Sequence, residues 1–190
     1  PTLHSPQPGW VQMSADEYLA IAVTCMKKCT DEIRGKGYDT ADIADALGDG
    51  IICGICGVNE DGKAVTPYIN YLDSRTQDDA DAINAEKRDI WGRETGNAEA
   101  CCMFPALFAR WLLKNNARFQ KEGVKFVHNA PYILMNLAGL KGKDAFIDWG
   151  TMSGWGLGYR VEKKEWSNEQ LALLGIDPAY MPRILKPWDI

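Results

Sequence analysis

Residues 48–75 restrict the fold of this chain more than any other stretch. Gly48-Asp49-Gly50 leads into an apolar run, Ile51-Ile52-Cys53-Gly54-Ile55-Cys56-Gly57-Val58. Its β-branched residues and the turn that follows predict a buried strand. In the turn Asn59-Glu60-Asp61-Gly62-Lys63, the pair Asp61-Gly62 suits the left-handed positions of a tight hairpin. The returning arm carries Val65, Tyr68, Ile69 and Tyr71, with Pro67 marking an edge or irregular strand. Both ends of the ribbon are polar, with Asp49 between glycines at one and Asp73-Ser74-Arg75 at the other. A carboxylate near an aromatic ring and an Asp/Arg pair would suit a hydroxyl-rich ligand. The same residues also describe a plain surface hairpin with ordinary turn acids, and the ribbon alone leaves both readings open.

Composition narrows the class. At 190 residues the chain fits one domain with a sizeable core, spanning 1–190. Lys and Arg number 21 against 26 Asp and Glu, and no basic stripe stands out, which argues against a nucleic-acid or anionic-membrane surface. No apolar run approaches the roughly 20 residues that span a bilayer. There is also no charged start followed by an apolar signal segment, so cytoplasm is the expected compartment.

The six cysteines are expected to be reduced core thiols. Cys25 and Cys29 share a helix face with Tyr18, Ala22, Met26 and Ile33, and Cys101-Cys102 are adjacent. Cys53 and Cys56 form a lone C-x-x-C; three apart on a strand they face opposite sides and cannot share a metal without a turn. A redox motif of that spacing belongs at a helix start, and this one lies within a strand.

In chain order, residues 1–9 are Pro-rich and aperiodic. Ser14 with Glu17 forms a capping-box pattern opening a long helix to about Arg34, ended by Gly35 and Gly37. Residues 41–47 alternate weakly and are expected as a strand. Ser74 and Gln77 offer a second cap for one solvated helix over 77–93, broken at Thr95-Gly96-Asn97. Residues 103–116 predict a strong helix with Pro105 in its first turn. A short strand follows at 124–127, a helix at 131–140, a β-like segment at 157–161, and a last helix capped by Ser167 and running to Leu174. The chain has no phosphate-binding P-loop, no G-x-G-x-x-G opening a helix and no G-x-S-x-G elbow. His4 and His128, each alone, read as structural.

The order of landmarks resembles a known family. Pro8-Gly9-Trp10-Val11-Gln12, the 59–63 turn, Tyr71-Leu72-Asp73-Ser74-Arg75, Thr95-Gly96-Asn97, Trp111-Leu112-Leu113-Lys114, and Glu165-Trp166-Ser167 with Leu173 to Pro178 look like successive marks of the FGGY carbohydrate kinases. The resemblance covers nearly the whole chain but only the N-terminal, sugar-binding domain of such kinases. It implies an α/β, actin-like (ribonuclease H-like) fold, with a mixed sheet flanked by helices and incomplete at its start.

The resemblance also implies a substrate face. Asp49 stands in the segment whose polar side chains bind sugar hydroxyls, although Leu47 replaces the usual Gln. Tyr71 stands where relatives often place a Trp against the substrate. A ring face packing on sugar C–H groups while Asp49 accepts hydroxyl hydrogen bonds is physically sound. Asp73 and Arg75 match an Asp-x-Arg landmark, either as an ion pair closing the site floor or as substrate contacts. Met103 and Phe108 replace a substrate-side aromatic and a Lys.

The general-base Asp of such kinases would lie beyond Ile190, the phosphate loop before Pro1, and the ATP-binding C-terminal domain further on. The implied parent enzyme therefore uses ATP and Mg²⁺, whereas this chain alone binds neither and is expected to be inactive. Its expected partners are a small sugar (pentulose-like) or polyol and the missing kinase domain, with a homodimer compatible. The alternative is a non-catalytic carbohydrate-binding or interaction module derived from such a kinase.

Overall fold

In the computed structural model, residues 1–43 and 53–189 are described. The chain runs through a short strand β1 (Gln12–Met13), the long helix α1 (Ala15–Gly35), and strands β2 (Cys56–Val58) and β3 (Tyr68–Ile69). Four helices follow, α2 (Gln77–Ala85), α3 (Ile90–Thr95), α4 (Pro105–Asn115) and α5 (Ala117–Glu122). After β4 (Lys125–Val127) and α6 (Asn129–Leu137) come β5 (Phe146–Asp148), α7 (Trp149–Met152), β6 (Tyr159–Arg160), β7 (Glu165–Trp166), α8 (Asn168–Leu174) and β8 (Arg183–Leu185).

Strand pairing is mixed, as anticipated, but in pieces: β1–β3, β2–β4 and β6–β7 are antiparallel and β5–β8 is parallel. The bridge Ile55↔Ile69 joins the first two pairs, giving the lateral order β1-β3-β2-β4. Because successive side chains of a strand alternate sides, this unit divides two cores. Ile55, Ile69 and Phe126 enter one core with α2, α3, α4 and α8. Cys56, Val58, Tyr68 and Val127 enter the other, with Tyr132 and Met135 of α6. A sheet buried on both faces is the layer arrangement of an α/β protein. At Gly57 any Cβ would collide with the Phe119 ring, which lies against the strand and stacks on Phe126 at 4.4 Å between centroids.

Local signals act as chemistry predicts. The Glu17 N–H donates to Ser14 Oγ at 3.1 Å, closing the first turn of α1, and Gly37 at φ 85° follows its end. Gly62 at φ 74° makes the hairpin turn, with Asn59 N–H bonded to the Lys63 carbonyl at 2.9 Å. Pro105 occupies the first turn of α4, and Ser167 and Gly175 bound α8.

Several expectations are corrected. Residues 40–42 form a 3-10 turn capped by Asp39, where a strand over 41–47 was expected; the rest of that segment lies outside the described residues. The 77–93 segment is two helices, α2 and α3, separated at Lys87, whose φ of 49° no continuous helix tolerates. Thr76, rather than Ser74, precedes α2, and it offers no side-chain cap.

The cysteines are all free, yet only Cys56 is buried, while Cys25 and Cys29 are exposed. They are exposed because α1 is covered chiefly near its start: Ala15 is its one buried residue. Among the described residues no helix is long and apolar enough to cross a membrane.

Candidate functional site

The far end of the ribbon, residues 70–76, is held by an assembly that draws on three distant segments. Arg75 forks onto Asp73, donating from Nε to Oδ1 at 2.9 Å and from Nη2 to Oδ2 at 2.7 Å. Nη2 also donates to Gln12 Oε1 at 2.9 Å. The guanidinium sits beside a pair of indoles, 3.9 Å from the Trp10 ring centroid and 4.8 Å from that of Trp111, and the two rings meet each other edge-on at 5.1 Å. Asp73 additionally accepts the Val11 N–H at 2.5 Å and the Arg75 N–H at 2.9 Å. Both side chains are sealed, at 2% exposure for Arg75 and 0% for Asp73. A planar, delocalised cation suits this double duty, bidentate to a carboxylate at its edge and in cation–π contact with the two indoles.

The rest of the segment is bonded to the N-terminal strand and to the loop before α4. Asn70 N–H donates to the Val11 carbonyl at 2.9 Å, and Ser74 N–H to the Gly9 carbonyl at 2.8 Å. Thr76 Oγ1 donates to the Cys102 carbonyl at 2.7 Å, bringing Met103 beside the end of the ribbon. Tyr71 and Met103 stay on the surface, at 39% and 36% exposure, with Leu72 more exposed still. Asp73 and Arg75 are thus enclosed, whereas Tyr71, Leu72 and Met103 are exposed. Phe108 is fully buried in the core. Asp49 and Leu47 lie outside the described residues.

At the other end of the ribbon stands His128, unremarkable in sequence. Its Nδ1 lies 2.7 Å from the Gly54 carbonyl, which can only accept, so this nitrogen carries the proton. Nε2 is buried with no hydrogen-bond partner among the described residues, and the ring packs edge-on against Trp155 at 5.4 Å. Burial drives its pKa down to about 4, against the opposing pull of the Gly54 carbonyl and the Asp148 charge. It is a neutral imidazole at neutral pH. Cys53, at a left-handed φ of 65°, has its thiol pKa raised, first by burial and then by neighbouring Cys101.

A second polar clamp joins two further landmarks. Glu94 accepts from Ser167 Oγ at 2.7 Å, Gln170 Nε2 at 2.9 Å and Arg160 Nε at 3.0 Å. Burial pushes its pKa up, but the hydrogen bonds from Ser167, Gln170 and Arg160 outweigh it and hold the carboxyl below its usual range. Nearby, Asn97 Nδ2 donates to the Gly156 carbonyl at 2.8 Å. Sequence reasoning had no signal for either clamp beyond the landmarks themselves, because each is made of residues tens of positions apart.

No group of three or more His, Cys, Asp or Glu among the described residues is placed to hold a metal ion.

The structure is an α/β layer unit whose ribbon ends in a buried Asp73–Arg75 pair next to the exposed Tyr71 and Leu72. Comparison with known proteins is specific on which scaffold it is. Residues 1–190 match the N-terminal domain of the FGGY family of carbohydrate kinases, and the chain belongs to that family. The glycerol kinase of Aromatoleum aromaticum is 27% identical over 186 residues, covering 96% of this chain and 36% of the relative. Among solved structures, the glycerol kinase of Plasmodium falciparum with ADP superposes with a TM-score of 0.84 at 18% identity, covering 96% of this chain and 36% of that one. The xylulose kinase of Rhodospirillum rubrum gives 0.78 at 19% identity, covering 97% and 36%. The fold is thus the actin-like, ribonuclease H-like one. The chain spans about a third of the length of the curated relatives it matches.

Proposed function

We propose that this chain is the substrate side of an ATP-dependent kinase that transfers a phosphoryl group to a hydroxyl of a small polyol or sugar. The observation that carries the reading is the buried Arg75–Asp73 pair packed against Trp10 and Trp111, which ties down residues 70–76, while Tyr71 and Met103 remain exposed. A fixed ring face is what sugar and polyol C–H groups pack on, and pre-organising it lowers the entropy cost of binding. In this reading Tyr71 and Met103 line the substrate, Asp49 accepts its hydroxyls, and Asp73 with Arg75 positions them from below.

The base, the phosphate loop and the nucleotide half belong to parts of the parent enzyme outside these residues. ATP with Mg²⁺ would supply the transferred group there, and this chain would contribute orientation alone. The glycerol kinases among its relatives favour a small polyol over a pentulose.

The test is phosphoryl transfer by the full-length parent enzyme to glycerol, xylulose, ribulose and gluconate. Glycerol should be the best acceptor, and Asp49→Ala should weaken acceptor use sharply while leaving ATP affinity near its starting value. Turnover of none of the four would refute the reading. A second reading, a non-catalytic interaction module, is favoured by one feature: the exposed residues on this face, Tyr71, Leu72 and Met103, are mostly apolar. Binding of a protein partner there, in a parent enzyme without transferase activity, would support it.

A further inference from the structure

One cleft lies away from the ribbon's far end and uses none of its residues. It has a volume of 750 Å³, within the range of small-molecule sites, and is walled by the 59–63 hairpin turn, the start of β4, the 141–143 turn and the 177–180 turn. Val124 and Tyr180 give it an apolar wall.

Its charges are unevenly satisfied. Two of the lining carboxylates are engaged, Asp61 by Lys141 at 3.1 Å and Asp177 by the Ala179 N–H at 2.8 Å, leaving Glu60 as the third. The lining cations Lys125 and Lys143 make no ion pair among the described residues. Lys125 Nζ donates instead to two neutral acceptors, the carbonyls of Ala179 at 2.7 Å and Met181 at 2.8 Å. Arg183 is close enough for its charge to be felt at Lys125, and it too is met only by a carbonyl, that of Asp144, at 3.3 Å. Partial burial, reinforced by Arg183, lowers the Lys125 pKa, as expected of a cation lacking a counter-charge. The lining carboxylates and ammoniums are equal in number, but the Lys125 ammonium, held by main-chain oxygens within reach of the Arg183 charge, has no carboxylate of its own, and an anion would supply that counter-charge.

We propose that this cleft binds a phosphate monoester of a small polar molecule, its phosphate on Lys125 and Lys143 and its body against Val124 and Tyr180. A phosphate monoester carries about −1.5 to −2 charges near neutrality and three acceptor oxygens, matching separate ammonium donors better than a single carboxylate does.

The test is titration of the protein, at low salt, with inorganic phosphate, glycerol 3-phosphate and glycerol, followed by amide NMR shifts and calorimetry. The phosphate-bearing probes should shift residues 123–125, 141–143 and 177–180 saturably, and glycerol should not. Lys143→Gln, at an exposed position, should weaken both phosphate probes about tenfold, the worth of one charged hydrogen bond, and Lys143→Glu further. Lys125→Gln serves as a second variant, although it also loosens the 179–181 turn. Tyr71→Ala should leave the inorganic phosphate shifts at these residues unchanged, so the outcome is separate from that of the proposed substrate face. Absence of saturable shifts with phosphate at residues 123–125, 141–143 and 177–180, equal shifts of those residues with glycerol, or unchanged affinity in both Lys143 variants would overturn the proposal.

Discussion

Replacing Arg75 by Met would remove the cation from a sealed site while keeping a side chain of similar length. The change deletes both halves of the fork onto Asp73, the bond to Gln12 and the contacts with both indoles. Breaking a buried pair by removing one partner costs roughly 3–5 kcal/mol, chiefly because the other charge stays buried unpaired. The lost cation–π contacts, each about 0.5–2 kcal/mol, lie partly within that figure. A loss of about 4 kcal/mol is a large share of the 5–15 kcal/mol that typically holds a domain together.

Urea unfolding followed by tryptophan fluorescence reads the loss directly, since Trp10 and Trp111 flank the site. Arg75→Lys keeps the charge but forfeits the planar fork and should cost about half as much. Adding Asp73→Asn to Arg75→Met removes the stranded carboxylate and should recover 1 kcal/mol or more, roughly. Destabilisation by Arg75→Met of less than about 1 kcal/mol, or a double variant no more stable than the single one, would refute the argument that a desolvated ion pair fixes this segment.

The remaining predictions concern protons and thiols. His128 is neutral in the fold with a pKa near 4, against 6.5 when exposed, so the unfolded chain takes up its proton first as pH falls. Its contribution to stability is complete above pH 6.5 and declines by about 3 kcal/mol toward pH 4. His128→Gln should flatten that part of the stability–pH curve, and an unchanged slope would contradict the burial argument. Native-state maleimide labelling mapped by mass spectrometry should modify Cys25 and Cys29 quickly and Cys56 only on unfolding, because burial removes access to its thiol and raises its pKa. Comparable labelling of Cys56 would count against the two-sided core.

Much of the local structure was legible because its causes are local. Ser14 and Glu17 announce α1, Gly62 the hairpin, Pro105 the start of α4, and Ser167 with Gly175 the limits of α8. What escaped depends on partners far away in the chain. The strand β8 was not read because three residues, Arg183–Leu185, form a strand only by pairing in parallel with Phe146–Asp148. The break at Lys87 carries no Gly or Pro, so periodicity ran straight through it. The cysteines of α1 were placed in the core because an amphipathic stripe implies a covering partner, and among the described residues α1 is fully buried only at Ala15, with Cys25 and Cys29 left exposed.

The candidate site divides in the same way. Asp73, Arg75, Trp10 and Trp111 were visible as separate landmarks, but their assembly into one cluster around a buried ion pair is a long-range fact. The His128 environment, set by Gly54 and Trp155, had no sequence signature at all.

The account stands or falls on Tyr71 facing the acceptor. In the full-length parent enzyme, steady-state kinetics of Tyr71→Ala should raise KM for the acceptor about tenfold, the worth of one ring's packing, with KM for ATP unchanged. An unaltered acceptor KM, or a change confined to ATP, would contradict it.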